Sequence, residues 1–152
     1  MRSLIKLGAA ACTIACLWSG TAFAALDPAA VVYKLPDQIP WAPAAPDAPS
    51  RQAVLMGDPS KPGPYMLLIE WRPHHMSRPH FHSTARYALV VKGTWWVGTG
   101  TKYDPDATVP MPAGSFVTDL VQGIHFDGAK DEPTTILIVG EGPMTTTQAE
   151  VH

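Results

Sequence analysis

The chain has 152 residues and is short of several residue types that common chemistries require. It has only two cysteines, Cys12 and Cys16, both among the first 24 residues, and it has no asparagine. The region after residue 24 therefore cannot form a disulfide, offer a thiolate to a metal or use a cysteine nucleophile. Without asparagine, it also cannot form a catalytic triad that depends on that residue.

Basic residues are few and do not cluster. Lysine and arginine number 11 against 13 acidic residues, a net charge of −2. Arg2 and Lys6 lie in the first 24 residues, so nine basic residues and all 13 acids follow them. A nucleic acid or an anionic membrane surface is recognised by a basic patch or stripe, and none is present. We therefore exclude both as partners.

The first 24 residues have the composition of a secretory signal peptide. Arg2 and Lys6 precede a short apolar run that ends in Ala22-Phe23-Ala24, with small residues at the positions a signal peptidase recognises. The apolar run is too short to span a membrane. We predict cleavage after Ala24 and export to the periplasm or the exterior, with no membrane anchor afterwards; a retained N-terminal anchor is the alternative.

After residue 50, short β-branched and aromatic runs alternate with glycine, proline and aspartate, and helical periodicity is almost absent. This pattern is typical of an all-β domain. Strands are predicted over 51–57, 65–72, 79–82, 86–92, 94–99, 114–120, 124–127 and 134–140. Because closure removes exposed strand edges, we predict one jelly-roll barrel over 51–145. The proline-rich segment 25–50 should form an extended arm outside it, and 146–152 a flexible tail.

Three histidines are candidates for a metal site. His80 and His82 are two residues apart on a predicted strand, so their side chains point to the same face and could hold one ion. A pair of surface histidines is the alternative interpretation. His125 lies on a later short strand between Gly123 and Gly128, where the backbone can bend.

These histidines resemble the metal-binding motifs of the cupin superfamily. The first cupin motif is a glycine, five residues, His-x-His, three or four residues, a glutamate, six residues and a glycine. His80, His82 and Gly93 match it, and His125 in "VQGIH" matches the histidine of the second motif. The resemblance covers roughly residues 50 to 143. It implies a cupin jelly-roll barrel that forms a homodimer and holds one divalent metal on His80, His82 and His125.

The chain departs from the motif at the acidic ligand. Arg86 occupies the position of the cupin glutamate, and no acid lies between His82 and Gly93. The implied ligand set is three neutral histidines, which favours Fe or Cu, allows Zn, Ni or Mn, and disfavours Mg and Ca. Three protein ligands would leave positions open for water, dioxygen or substrate. A degenerate cupin without metal is the alternative.

Two neighbouring positions could line the cavity beside the metal. If Arg86 points inward, its guanidinium would anchor an anionic substrate. If the strand is shifted by one residue, Tyr87 lines the cavity instead. His74 and His75 are expected at the rim or behind the ligands. Glu70 belongs to a solvated face or is a substitute carboxylate for the site.

Trp95 and Trp96 should point to opposite faces of their strand, one into the core or cavity and the other outward or into a dimer face. With no thiol, no nucleophile triad and no dinucleotide motif, catalysis would depend on the metal. The resemblance implies a dioxygenase-like oxidoreductase acting on a small organic substrate. Copper-dependent oxidative cleavage of sugars, with the tryptophans as a stacking platform, is a special case. A non-catalytic module that binds a metal or small ligand is the alternative.

Overall fold

The computed structural model describes residues 26–151. The predicted signal peptide, 1–24, and His152 lie outside the described residues. The chain divides after Tyr33 into two units. Of the first, residues 26–33 are described, and they contain a turn in which the Asp27 carboxylate accepts a hydrogen bond of 2.9 Å from the Ala29 amide. The second, Lys34–His152, contains all the strands that are described.

The described part of the second unit is built from eleven strands and two short 3-10 turns, Pro36–Gln38 and Pro105–Ala107. The strands are β1 (Ser50–Met56), β2 (Gly63–Trp71), β3 (His75–Met76), β4 (His80–His82), β5 (Arg86–Lys92), β6 (Thr94–Thr99), β7 (Val109–Pro112), β8 (Phe116–Asp119), β9 (His125–Ala129), β10 (Thr134–Gly142) and β11 (Thr146–Gln148). No helix among residues 26–151 has the length and hydropathy that crossing a membrane requires.

The strands form two antiparallel sheets. One sheet has the order β1-β2-β10-β5-β8, and the other has the order β11-β4-β9-β6-β7, with β3 also paired to β9. The chain passes from the first sheet to the second at Gly93, whose φ of +74° suits glycine and strains other residues. The all-β jelly-roll fold predicted from the sequence is confirmed.

An apolar core fills the space between the sheets. Every second residue of β2, from Tyr65 to Trp71, is buried, and so are Ile136 and Ile138 of β10. Trp95 of β6 enters the same cluster from the opposite sheet and is fully buried. Each large apolar side chain buried in this way contributes about 1.5–3 kcal/mol to stability.

The alternation along β5 decides between Arg86 and Tyr87. Arg86, Ala88 and Val90 are buried on the inner face of the strand. Tyr87 lies on the outer face, is 48% exposed and stacks on Phe116 at 6.3 Å. Arg86 therefore points into the barrel, and the alternative in which Tyr87 lines the cavity is wrong.

Three short strands were not predicted. β3 has two residues, and β7 lies at the edge of its sheet, where Pro110 and Pro112 are tolerated because an edge strand leaves some backbone amides unpaired. β11 lies in the segment predicted to be a flexible tail, and that prediction is wrong for 146–148. These residues pair with β4 in the register Thr146↔His82 and Gln148↔His80.

The arm before β1, residues 34–49, lies outside both sheets. Its contacts with the strands are local: the Ala42 amide donates to the Gln52 carbonyl at 2.8 Å, and the Arg51 guanidinium lies 4.5 Å from the centre of the Trp41 ring. Prolines remove backbone donors, which explains why this segment contacts β1 without forming a strand of its own.

Candidate metal centre

Neighbouring strands of one sheet bring the three histidines together. β4 pairs with β9 so that His80 is directly opposite His125, and His82 follows two residues later on the same face. The ring centres are 4.5 Å apart for His80 and His125, 4.9 Å for His80 and His82, and 5.2 Å for His82 and His125. One ring nitrogen from each lies within 4.8 Å of the others. The three buried residues could therefore hold a single metal ion.

Backbone carbonyls fix the orientation of two of the rings. Nδ1 of His80 is 2.8 Å from the Arg78 carbonyl oxygen, and Nδ1 of His125 is 2.9 Å from that of Gly123. A carbonyl oxygen can only accept, so in the neutral rings the proton is on Nδ1 and the lone pair is on Nε2. Histidines that ligate metals are commonly held in this way.

His82 is held by a side chain from β11. Its Nδ1 is 3.0 Å from the Thr146 hydroxyl oxygen, and that hydroxyl donates to the Met144 sulfur at 3.8 Å. With its hydrogen directed to the sulfur, Thr146 can accept the proton of His82 Nδ1. In that tautomer the lone pair of His82 is also on Nε2, as in the other two rings.

Two of these lone pairs have no partner within residues 26–151. Nε2 of His82 and Nε2 of His125 are buried and make no hydrogen bond there. A buried polar atom left unpaired costs about 1–3 kcal/mol, so such an arrangement requires an explanation. A divalent transition metal would satisfy the nitrogens, and imidazole suits Fe, Cu, Zn and Ni. The donor set therefore fits such an ion.

The surroundings keep at least two of the rings neutral. Burial lowers the pKa of His82 to about 3, and the positive charge of Arg86 adds to this effect. Burial also lowers the pKa of His80, against the opposing influence of the Asp127 carboxylate. Near neutral pH both rings are therefore in the deprotonated state that metal ligation requires.

The site contains acidic side chains that the sequence analysis missed. Asp127 is on β9 on the same face as His125, and its Oδ2 is 3.5 Å from His125 Nε2 and 4.0 Å from His80 Nε2. Burial raises the pKa of the Asp127 carboxyl group, while the nearby histidines oppose the shift. The sequence analysis did not predict a carboxylate beside the histidines, but among the described residues the ligand atoms that lie within 4.8 Å of one another belong to the three histidines alone. A signal was present in the sequence, since His125-Phe126-Asp127 has the same two-residue spacing as His80-Phe81-His82.

A buried ion pair adjoins the histidines. Arg86 and Asp119 are opposite each other on β5 and β8, and the Asp119 Oδ2 accepts hydrogen bonds from Arg86 Nη2 at 2.6 Å and Nε at 3.2 Å. The same oxygen is 3.8 Å from His125 Nε2. Arg86 thus lies beside the site, but Asp119 balances its charge. The pairing could not be found from the sequence, because the register of β5 against β8 is not visible there.

A small cavity leads to this group. Its volume is about 210 Å³, and it is lined by His125 and Asp119 together with apolar side chains that include Val97, Val117, Leu120 and Ile124. This volume is smaller than the roughly 300–1,000 Å³ of a pocket for a drug-sized ligand.

His74 and His75 lie away from this group. His75 pairs with Ala129, which is four residues along β9 from His125, or about 13 Å at the usual strand rise. His74 is exposed and lines a different cavity of about 350 Å³, which contains none of the three clustered histidines. Neither residue supports the metal ligands, contrary to the expectation from the sequence.

The remaining expected residues are part of the general scaffold. Glu70 is on the outer face of β2 in an ion pair of 2.8 Å with Arg51, so it is not a substitute carboxylate for the site. Trp95 is entirely within the core. Trp96 is half-buried on the opposite face, 4.0 Å from the Lys130 amino group.

Comparison with known proteins supports the fold assignment. No protein-family model matches the chain, and no curated protein does. Solved structures do match, among them the polyketide cyclase RemF from Streptomyces resistomycificus, with 12% identity, 80% of this chain and 87% of that chain covered, and a TM-score of 0.64. A cupin-2 domain from Rhodospirillum rubrum has 19% identity, coverage of 77% and 78%, and a TM-score of 0.57.

A third match is a sugar phosphate isomerase of the cupin superfamily from Silicibacter pomeroyi, with 18% identity, coverage of 68% and 67%, and a TM-score of 0.54. At such low sequence identities these matches show a similar fold and nothing about function. Many of the similar structures are cupin-2 or double-stranded β-helix proteins. The chain has the cupin fold, as the histidine motif implied.

Proposed function

We propose that His80, His82 and His125 bind one divalent transition metal and that the protein is a metal-dependent oxidoreductase acting on a small organic substrate. The observation that carries this proposal is the convergence of three Nε2 lone pairs, two of them buried without a partner among the described residues. When bound, the metal would polarise a substrate oxygen or activate dioxygen. Fe or Cu is the proposed ion, because three imidazoles suit both and both support oxidation.

The protein's own residues determine which substrate fits. The apolar lining of the 210 Å³ cavity favours a small and largely apolar molecule, with its oxygen directed to the histidines. Arg86 already donates two hydrogen bonds to Asp119, so its charge is not available to anchor an anion at full strength. We therefore favour a neutral enol or phenol over a carboxylate as the substrate.

Metal analysis of protein purified without a histidine tag tests the centre. Wild-type protein should carry close to one equivalent of metal, and His80→Ala and His125→Ala should carry almost none. An equal trace of metal in all three would contradict the proposal. The oxidative step is then tested by dioxygen uptake across enols, phenols and oligosaccharides, with His82→Ala as the baseline. Oligosaccharides should be poor substrates, because Trp95 is buried in the core and cannot stack on a sugar.

A non-redox reaction is the second candidate, and a specific observation favours it. The buried Asp127 carboxylate beside the histidines is a group that could move a proton. Two of the similar solved structures are described as a polyketide cyclase and a sugar phosphate isomerase. Turnover that persists without dioxygen would favour this candidate. If metal-loaded protein binds ligands but converts them no faster than His82→Ala does, the protein is a non-catalytic binding module.

We also propose that the protein is exported and forms a homodimer. Residues 1–24 support export by their composition. Dimerisation is supported by the outer face of the first sheet, where Tyr87, Leu89, Val91 and Phe116 are 42–67% exposed and form an apolar surface. N-terminal sequencing of protein from fractionated cells should find a chain that begins at Ala25. Light scattering should give twice the monomer mass, and Leu89→Lys should reduce it to the monomer value.

A further inference from the structure

The acidic ligand that Arg86 replaces in the motif has a counterpart elsewhere in the site. Asp127 is 4% exposed, and its Oδ2 is 3.5 Å from Nε2 of His125 and 4.0 Å from Nε2 of His80. Both of these nitrogens present lone pairs, because their Nδ1 atoms donate to carbonyl oxygens. An acceptor oxygen therefore faces two acceptor nitrogens, and no hydrogen bond joins them.

Such a group of acceptors is stabilised by a cation between them. When four ligands surround a metal at about 2.1 Å in a tetrahedron, neighbouring donor atoms are about 3.4 Å apart. The separations of 3.5 and 4.0 Å from the Asp127 oxygen to the nitrogens of His125 and His80 are close to this value. The oxygen lies outside the 4.8 Å group that the three histidine nitrogens form, so the carboxylate would move toward His82 when a metal binds. The alternation of β9 explains the placement, because His125 and Asp127 point to the same face of one strand.

Asp119 is the other carboxylate close to the histidines, but it is already engaged. Its Oδ2 accepts both hydrogen bonds from Arg86 and lies 3.8 Å from His125 Nε2. Moving this oxygen onto a metal would break a buried ion pair and leave the Arg86 charge without its partner, which is strongly destabilising. The Asp127 carboxylate has no such salt bridge to an arginine or lysine among residues 26–151.

We infer that Asp127 is an oxygen ligand of the metal, so that the donor set is three imidazole nitrogens and one carboxylate oxygen. This inference rests on the metal centre proposed above. The carboxylate comes from β9, whereas the motif position that Arg86 occupies is on β5. An anionic oxygen donor lowers the net charge of the centre and makes it less suited to Cu(I), which prefers soft ligands.

Cobalt(II) binding to the metal-free protein tests the assignment, because the visible absorption of cobalt reports its ligands directly. Wild-type protein should bind one equivalent. Asp127→Asn should bind at least tenfold more weakly, as measured by competition with a chelator, and with shifted visible bands. Asp127→Glu retains a carboxylate and should recover part of both the affinity and the spectrum. The double variant Arg86→Met with Asp119→Asn removes the neighbouring pair without changing net charge and should keep the wild-type bands.

The outcomes separate the two proposals. If Asp127→Asn binds cobalt with wild-type affinity and bands, the ligand assignment is overturned while the metal centre stands. The assignment is likewise overturned if the double variant shifts the bands as much as Asp127→Asn. If wild-type protein takes up no more cobalt than His82→Ala, the metal centre itself fails. Should Asp127→Asn not fold, a crystal structure of cobalt-loaded wild-type protein decides, with a Co–Oδ2 distance near 2.1 Å expected and one beyond 3 Å contradicting the assignment.

Discussion

The interior of the barrel has an apolar half and a polar half. In both, the alternation of side chains along the strands determines which residues point inward. Along β5, every second residue points inward, beginning at Arg86 beside the histidines and ending at Val90 in the apolar core. The core half holds large apolar side chains such as Trp95 and Ile138. The other half holds three histidines, an arginine and two aspartates, all between 2% and 7% exposed. Strand alternation thus decides which residues are buried, and only their chemistry separates a core from a site.

The two halves have opposite effects on stability. Burial of apolar side chains stabilises the fold, whereas burial of a charged or unpaired polar group costs energy unless a partner compensates for it. Nε2 of His82 and of His125 have no such partner within the described chain. The proposed metal would supply that partner, whereas the polar half by itself adds little to the stability of the fold. Substitutions in each half should separate stability from metal binding.

The largest expected effect is on the apolar half. Trp95→Ala removes a fully buried side chain and should lower the free energy of unfolding by about 3–5 kcal/mol, measured by urea denaturation of metal-free protein. Trp96→Ala is the matched control on the opposite face and should cost about 1 kcal/mol, since that side chain is only half-buried. Equal losses for the two variants would contradict the description of the core.

The next effect is on the polar half and should appear in metal affinity. His125→Ala should weaken metal binding at least 100-fold, or about 2.7 kcal/mol. The metal-free variant should unfold within about 1 kcal/mol of wild type, because loss of packing is offset by removal of an unpaired buried nitrogen. Chelator competition and urea denaturation provide the two measurements. A loss of stability as large as that of Trp95→Ala would show that the two halves are not separable.

A pH-dependent effect should follow from the lowered pKa of His82. In the unfolded chain this ring takes up a proton near pH 6.5, whereas in the folded protein it does so only near pH 3. Between these values the unfolded state binds more protons, so His82 lowers stability as the pH falls, by at most about 1.4 kcal/mol per unit.

Asp127 has a raised pKa, so its titration stabilises the fold as the pH falls, opposite to that of His82. Because Asp127 is present in both proteins, the difference in stability between wild type and His82→Gln isolates the contribution of His82. The free energy of unfolding of metal-free wild type, relative to His82→Gln, should decrease as the pH is lowered from 6.5 to 4.5. A difference that stays constant over this range would show that the ring titrates normally.

The smallest effect should come from the partner of His82 on β11. Thr146→Val keeps the shape of the side chain but removes the acceptor for His82 Nδ1 at 3.0 Å, and loss of such a partner commonly weakens metal binding about tenfold. Thr147 has the opposite parity on the same strand and pairs with Phe81, so Thr147→Val is the matched control and should leave the affinity unchanged. Identical affinities for the two variants would mean that Thr146 does not orient the ring.

Much of the fold was predictable because the long strands have clear patterns. β5 and β6 begin and end at the predicted residues, and β2 and β10 differ by at most two residues at an end. The short strands were missed for physical reasons. β3 is too short for a period of two to be visible, and β7 contains two prolines that only an edge position permits.

The sequence predicted only those site residues that are linked by their spacing within one strand or by the cupin motif. His80 and His82 follow from alternation within one strand, and the cupin resemblance supplied His125. Asp127 follows from the same alternation, but it lies on a different strand from the motif position that Arg86 occupies, where the cupin pattern places its acid. Asp119 depends on a pairing between strands 33 residues apart in sequence, and no spacing rule encodes that register.

The hydrogen bond from His82 to Thr146 also determines the order in which the site is completed during synthesis. All three histidines have been synthesised by residue 125, but the strand that holds His82 in its ligand orientation comes at Thr146–Gln148. A nascent chain, or one trimmed by a protease before β11, has every nitrogen that the metal needs and still lacks the hydroxyl that fixes one ring. Uptake of the proposed metal at full affinity would therefore report that β11 has paired with β4.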